Sequence, residues 1–267
     1  MPKLTVLTCV YNCEQFISKC IESVLNQDFT DFEFIIIDDG SVDGTSEIIS
    51  NYAKIDFRIK YLKKVNSGLT SSLNIGIQLS SSNYILRIDA DDEMIQGRIL
   101  NTYNAIVSNN ADVVINLTNY IDSNGLFLKK SKSTISIENS FLMGYSPFAH
   151  SSVILNKKRL INIGCYDEFF KKSQDYDLWL RMTFYGYKFH VINLYLTNVR
   201  VHKDSITNSE IDYFSFLAYI KYQCLENNLE SKFQLLISDQ NSMLLWLNET
   251  ITFRLYLSCH KLKKSLI

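Results

Sequence analysis

Three carboxylates fall within four residues at Asp89-Ala90-Asp91-Asp92, directly after the apolar run Tyr84-Ile85-Leu86-Arg87-Ile88. Carboxylates crowded at the end of a buried strand repel one another and lose solvation, unless a cation or the hydroxyls of a ligand share the site. Hard oxygen ligands of this kind suit Mg²⁺ or Mn²⁺, ions that commonly bridge phosphates. A second acidic pair, Asp38-Asp39, closes another apolar run, and acids placed there can accept hydrogen bonds from a nucleobase N–H or from ribose hydroxyls. Taken alone, each stretch is also readable as a solvated acidic turn that caps the next helix. Two such strand ends delivered to one sheet edge predict a polar ligand site with a cation.

Other residues are weaker candidates. Asp175 and Asp177 lie in the first turn of an amphipathic segment, where the helix dipole favours carboxylates, so capping is their plainest reading. His202 follows a short apolar run and can complete an oxygen-rich metal site or touch a phosphate. His150 is open to a ligand role or to that of a satisfied structural histidine.

The elements that must hold these residues alternate between strand and helix. Apolar, β-branched runs predict strands at 4–10, 32–37, 58–62 and 84–88, and helical spacing predicts helices at 14–27, 45–52 and 69–79 between them, with Ser41 or Asp43 as N-cap of the second. Such alternation argues for parallel pairing through βαβ crossovers. Beyond it come a helix at 98–107, extended stretches at 112–115 and 117–121, a polar loop at 129–139 and a strand at 151–156. A helix at 157–163, the helix carrying Asp175, and short strands at 189–192 and 199–201 complete the series. After Glu210 the pattern is helical and leucine-rich, ending in His260-Lys261-Leu262-Lys263-Lys264. This divides the chain into an α/β domain over 1–208 and a helical extension over 209–267.

Composition excludes several classes. The 267 residues carry a formal net charge of −1, so no basic field argues for nucleic acid. No apolar run approaches a membrane span, and the chain enters a strand directly after Met1-Pro2-Lys3 without a secretory leader, so the expected location is the cytoplasm. Cys9, Cys13, Cys20, Cys165, Cys224 and Cys259 show no C-x-x-C pairing and read as reduced, small hydrophobes. There is no G-x-x-x-x-G-K-[ST] and no G-x-G-x-x-G, so phosphates must be neutralised by something other than a glycine-rich loop.

Together the segments resemble the inverting glycosyltransferases of family 2, of the GT-A fold, that build bacterial surface polysaccharides such as capsule or lipopolysaccharide. The matching residues are Thr8-Cys9-Val10-Tyr11-Asn12, Ile36 to Thr45, Asn66-Ser67-Gly68, Leu73-Asn74-Ile75-Gly76, Asp89 to Asp92, Gln174 to Arg181 and Val201-His202. The fold implied is a Rossmann-like, mostly parallel mixed sheet flanked by helices. The resemblance implies that Thr8, Cys9, Val10, Tyr11, Asn12, Asp38, Asp39, Asn66, Gly68 and Asn74 hold the nucleotide of a UDP-sugar, with Asp39 at the base. It makes Asp89-Ala90-Asp91 the family's DxD motif, with Asp91, Asp92 and His202 toward Mn²⁺ or Mg²⁺ on the diphosphate, and Asp175 the catalytic base. Gln174 stands where the family usually has Glu, and Leu73 where it often has a basic residue.

The acceptor implied is a saccharide or a polyprenyl-diphosphate-linked oligosaccharide, reached at the inner face of the cytoplasmic membrane. The tail after Glu210 is then available for peripheral membrane contact, for a homodimer or for covering the domain. Two rival readings are a sugar-1-phosphate nucleotidyltransferase, for which Tyr11-Asn12-Cys13-Glu14 replaces the glycine-rich basic loop such an enzyme needs, and an inactive carbohydrate-binding or scaffold protein.

Overall fold

Near-continuous apolar runs take the centre of a sheet when both of its faces are covered. In the computed structural model, which describes residues 1–132, 146–202 and 213–226, strands β1 (Leu4–Val10) and β2 (Phe32–Asp38) are buried along their whole length. With β3 (Ile59–Lys63) and β4 (Tyr84–Arg87) they form a parallel set in the order β3-β2-β1-β4. Helices α1 (Ile17–Leu25), α2 (Thr45–Ile55) and α3 (Leu69–Leu79) make the crossovers. Parallel strands connected this way deliver their carboxyl ends to one edge, so Asp38 and the turn after Arg87 meet there.

The sheet becomes mixed past β4. Strand β8 (Val153–Asn156) runs antiparallel to both β4 and β6 (Val113–Ile121), while β9 (Phe189–Arg200) runs parallel to β6. Two short strands complete it, β5 (Glu93–Met94) on β9 and β7 (Phe127–Lys130) on β6. The strands at 112–115 and 117–121 are therefore one strand, as are those at 189–192 and 199–201. Polar residues that read as breaks find partners inside the sheet through their side-chain nitrogens: Asn116 donates to the Leu117 carbonyl at 2.8 Å and to Thr197 Oγ1 at 2.9 Å. Asn119 likewise donates to Asn198 Oδ1 at 3.0 Å.

Two apolar layers cover the sheet. Ile17, Ile21, Ile49, Ile99 and Ile106, from α1, α2 and α4 (Arg98–Ser108), pack on Val6, Phe34, Ile36 and Leu86. On the other face, Leu73 and Ile77 of α3 and Leu178, Trp179 and Met182 of α6 (Gln174–Phe184) pack on Leu7, Ile35, Ile85 and Ile115. Lys157–Asn162 forms the short helix α5. Helix α7 (Tyr213–Glu226) adds Leu217, Ala218 and Ile220 to the second layer, so the first helix of the extension is built into the α/β core. The expected helices beyond 226, and most of the expected loop at 129–139, lie outside the described residues.

Candidate active site

Arg87 is fully buried beneath the acidic turn. Its guanidinium donates to the Leu7 carbonyl and, at 2.5 Å, to Asp89 Oδ1. Burial pushes the Asp89 carboxyl up, but Arg87 and the Ser151 contact outweigh it and hold Asp89 below its usual range. Asp91 has the opposite balance, raised by burial and by Asp89 although His202 Nε2 lies 2.9 Å from its Oδ2. Asp92 is 3% exposed and pushed well up by burial and by its two neighbours, with Oδ1 accepting the Arg200 amide at 2.8 Å. Arg200 also donates from Nε to the Asp91 carbonyl at 2.9 Å, pairs with Glu93, and stacks on Phe16 at 5.0 Å.

Arg98, also fully buried, donates to the carbonyls of Arg87 and Ser151 while its Nε and Nη1 find no partner, and burial lowers it to about 9. Arginines of the chain thus offset part of this crowding: Arg87 pairs with Asp89, while Asp91 and Asp92 stay raised. Three arginines stand among these carboxylates. None was singled out from the sequence, although a lone Arg87 inside an apolar run was a usable signal.

The three expected metal ligands do not converge. Among the described residues no set of three His, Cys, Asp or Glu side chains is arranged around one ion position. Asp91 and His202 form a two-donor pair, one hard oxygen and one imidazole, in which burial and Asp89 disfavour the Asp91 carboxyl as an anion until a cation joins it. That donor set fits a divalent ion whose other ligands come from a diphosphate and water.

On the other strand ends, two turns are stitched together. The Asn12 amide donates to Ser41 Oγ at 3.0 Å, and Asn12 Oδ1 accepts the Val42 amide at 2.9 Å. Asp38 is fully buried, and its carboxylate accepts from the Ser41 amide, Ser46 Oγ and Tyr61 OH, bonds that outweigh desolvation and hold it below its usual range. The expected N-caps of α2 divide accordingly: Ser41 serves Asn12, and Asp43 Oδ1 accepts the Thr45 amide at 3.0 Å. Asp39 organises the next loop, accepting the amides of Ser67 at 2.9 Å and Gly68 at 2.8 Å and pairing with Lys64. Gly40 has φ +83°, and a Cβ there would meet the Asn66 nitrogen at 2.9 Å, so the close approach of this loop to β2 requires glycine.

Of the residues assigned to the nucleotide, Tyr11, Asn12, Asn66 and Gly68 are exposed and Asp89 and Asp91 partly so. Thr8, Cys9, Val10, Asp38, Asp39 and Ala90 are buried. Thr8 Oγ1 donates to the Ile88 carbonyl at 3.0 Å, tying β1 to the acidic strand. Asn74 lies on α3 against Tyr166, and Leu73 faces the core.

Asp175 sits in the first turn of α6, partly exposed, and no side-chain cap bond joins Ser173 to this helix. Burial, with Asp89 adding to it, pushes its carboxyl up to about 6 against the backbone amides that favour the anion. Asp177 differs: it is 1% exposed and held by Arg181 at 2.8 Å and by Lys221 of α7 at 2.9 Å. His150 is buried, with Nε2 2.7 Å from Tyr166 OH and its ring edge-on to Trp179, and burial lowers it to about 3. It is a neutral structural histidine.

The profile of Glycosyl transferase family 2 matches residues 5–171. The chain is 34% identical over 126 residues to Glycosyltransferase GlyA of Streptococcus pneumoniae, a match covering 47% of this chain but 18% of that protein. It is 32% identical over 208 residues to the uncharacterized glycosyltransferase MJ1057 of Methanocaldococcus jannaschii, covering 75% and 71%. The O-antigen biosynthesis glycosyltransferase WbnJ of Escherichia coli is 27% identical over 234 residues, covering 86% of this chain and 92% of WbnJ. Among solved structures, TarS of S. aureus in complex with UDP-GlcNAc superposes with a TM-score of 0.67 at 17% identity, covering 92% of this chain and 79% of that one.

Proposed function

The chain belongs to glycosyl transferase family 2, and from that premise we propose that it is a metal-dependent inverting transferase that moves a sugar from a UDP-sugar to a hydroxyl of a saccharide or lipid-linked saccharide acceptor in surface-polysaccharide assembly. The observation that carries the reading is Asp175: a carboxylate in the first turn of α6, tuned to about 6, and close enough to the acidic turn for Asp89 to act on it. A base of that strength is ionised at neutral pH and still accepts a proton as a hydroxyl attacks.

The acceptor oxygen forms its bond to the anomeric carbon from the side opposite the diphosphate, its proton passes to Asp175, and the bond from carbon to phosphate oxygen breaks to release UDP. One such displacement inverts the centre, so an α-linked donor yields a β-glycoside. Asn12, Tyr11 and the loop ordered by Asp39 supply the nucleotide side, and Asp89 the ribose side. Asp91 and His202 would hold Mn²⁺ or Mg²⁺, which when bound neutralises charge on the diphosphate. The likeness to TarS, solved with UDP-GlcNAc, supports a UDP donor.

The work is assigned to the inner face of the cytoplasmic membrane, with the protein peripheral to it. No described helix is long and apolar enough to cross a membrane.

Calorimetry of UDP in Mn²⁺ and in EDTA, followed by UDP release from a panel of UDP-sugars with and without acceptor, tests the proposal. UDP is expected to bind at least tenfold more weakly in EDTA. Equal affinity in both would sink the metal dependence, and conversion of a UDP-sugar with added pyrophosphate into UTP and a sugar 1-phosphate, with no UDP released in the presence of any acceptor, would return the protein to nucleotidyl transfer.

A further inference from the structure

Asn74 reaches away from the donor residues and clamps a backbone. From α3, its Oδ1 accepts the Tyr166 amide at 3.0 Å while its Nδ2 donates to the Tyr166 carbonyl at 2.9 Å. This two-bond grip satisfies both polar groups of one peptide-bearing residue in the way a strand partner would. One turn earlier, Thr70 Oγ1 donates to the Phe170 carbonyl at 2.7 Å, so α3 holds the segment that leads into α6 at two points.

The Tyr166 ring carries the contact inward. It is 2% exposed, its hydroxyl lies 2.7 Å from His150 Nε2, and the His150 ring meets it edge-on at 5.5 Å. His150 in turn stands edge-on to Trp179 at 6.1 Å, and Trp179 is packed against Phe148 at 5.2 Å. Trp179 follows Asp175 by four residues on α6, so the two share a helical face. A buried ring stack against Trp179 therefore fixes the rotation of α6 and with it the direction of the Asp175 carboxylate.

We propose that Asn74 is a positioning residue for Asp175, acting through the Tyr166 backbone and the His150–Trp179 ring stack, and that it makes no contact with the nucleotide. The inference rests on the reading of Asp175 as the base. It couples the helix that follows the nucleotide loop to the helix that carries the base.

The test is made on the full chain. Asn74→Ala leaves α3 sound, alanine being the better helix former. Hydrogen exchange is expected to accelerate at peptides covering 163–177 and to stay unchanged over 84–92. UDP with Mn²⁺ should bind as to wild type by calorimetry, and KM for the donor should hold, while kcat falls about tenfold, the scale of a base displaced by a fraction of an ångström. Tyr166→Phe keeps the ring but loses the bond to His150 and should give the same split. The double variant should be no slower than the slower single one, since two links of one strut do not add.

A loss of UDP affinity in step with turnover returns Asn74 to the nucleotide and overturns the proposal, as does unchanged exchange over 163–177 or an unchanged kcat. If Asn74→Ala does not fold, Tyr166→Phe carries the same readouts. If wild type releases UDP from no donor, the transferase reading has failed instead, and the exchange pattern decides the strut by itself.

Discussion

Asp89 and Asp91 are two residues apart, yet their environments push them in opposite directions, Asp89 below the usual carboxylate range and Asp91 above it. For Asp89 the ionised form is favoured by folding, so its contribution is present above the unfolded-state value and is lost as pH falls. For Asp91 the protonated form is favoured, so its contribution is lost as pH rises through the folded value. Measured in EDTA at pH 7, Asp89→Asn should therefore lower Tm, because it strands the fully buried Arg87. Asp91→Asn should leave Tm unchanged or raise it. Two shifts of the same sign would mean the arginines do not divide these carboxylates. The acids were legible in the sequence because they are crowded; their counter-charges were not, since Arg98 and Arg200 reach the turn only through the fold.

Asp175 obeys the same sign rule as Asp91. Its carboxyl is raised to about 6, so the anion needed for catalysis is disfavoured by folding. Asp175→Asn is expected to raise Tm at pH 7 while lowering turnover about 10²-fold, with UDP affinity retained. In wild type, kcat should fall as pH drops below about 6, where the base takes up its proton. A variant within a few-fold of wild-type turnover would move the base elsewhere, and Asp177 is not available, being locked between Arg181 and Lys221.

At the scale of elements, α3 is pressed hard against the sheet. A Cβ on Gly76 would come within 2.3 Å of Leu7 Cδ1, and Leu7 is fully buried in the central strand, so its side chain gives way only by displacing packed neighbours. Helix propensity alone would make Gly76→Ala stabilising by about 1 kcal/mol. Overpacking of this kind costs about 1–3 kcal/mol, so the net effect should be destabilising, read as a lower denaturation midpoint. A raised midpoint would show that α3 lifts from β1 at little cost. The strands and helices of the first half were readable because runs such as 4–10 and 32–37 are mostly apolar and rich in β-branched residues, and the spacing between them changes period. Strands β6 and β9 were misread as broken because Asn116 and Asn198 look like turn residues until their partners across the sheet are known.

At the scale of the molecule, the boundary at 208 cuts through the core. Helix α7 buries Leu217, Ala218 and Ile220 beside Trp179 and Met182, and Lys221 bridges Asp167 at 2.7 Å and Asp177 at 2.9 Å. A buried leucine lost to alanine already costs about 2–5 kcal/mol, so a chain ending at 208 should lose cooperative unfolding, whereas one ending at 226 keeps these contacts. The membrane proposal is therefore tested with the longer truncation. The remainder holds Trp246, Phe253 and Leu257, then Lys261, Lys263 and Lys264. Each such lysine contributes about 1 kcal/mol near an anionic surface, so the cluster gives reversible attachment that apolar burial must reinforce. In flotation, the full chain should rise with anionic vesicles at low salt and release at high salt, and the chain ending at 226 should stay behind. Equal behaviour of the two would make the tail a packing or oligomerisation surface and leave attachment to the folded domain.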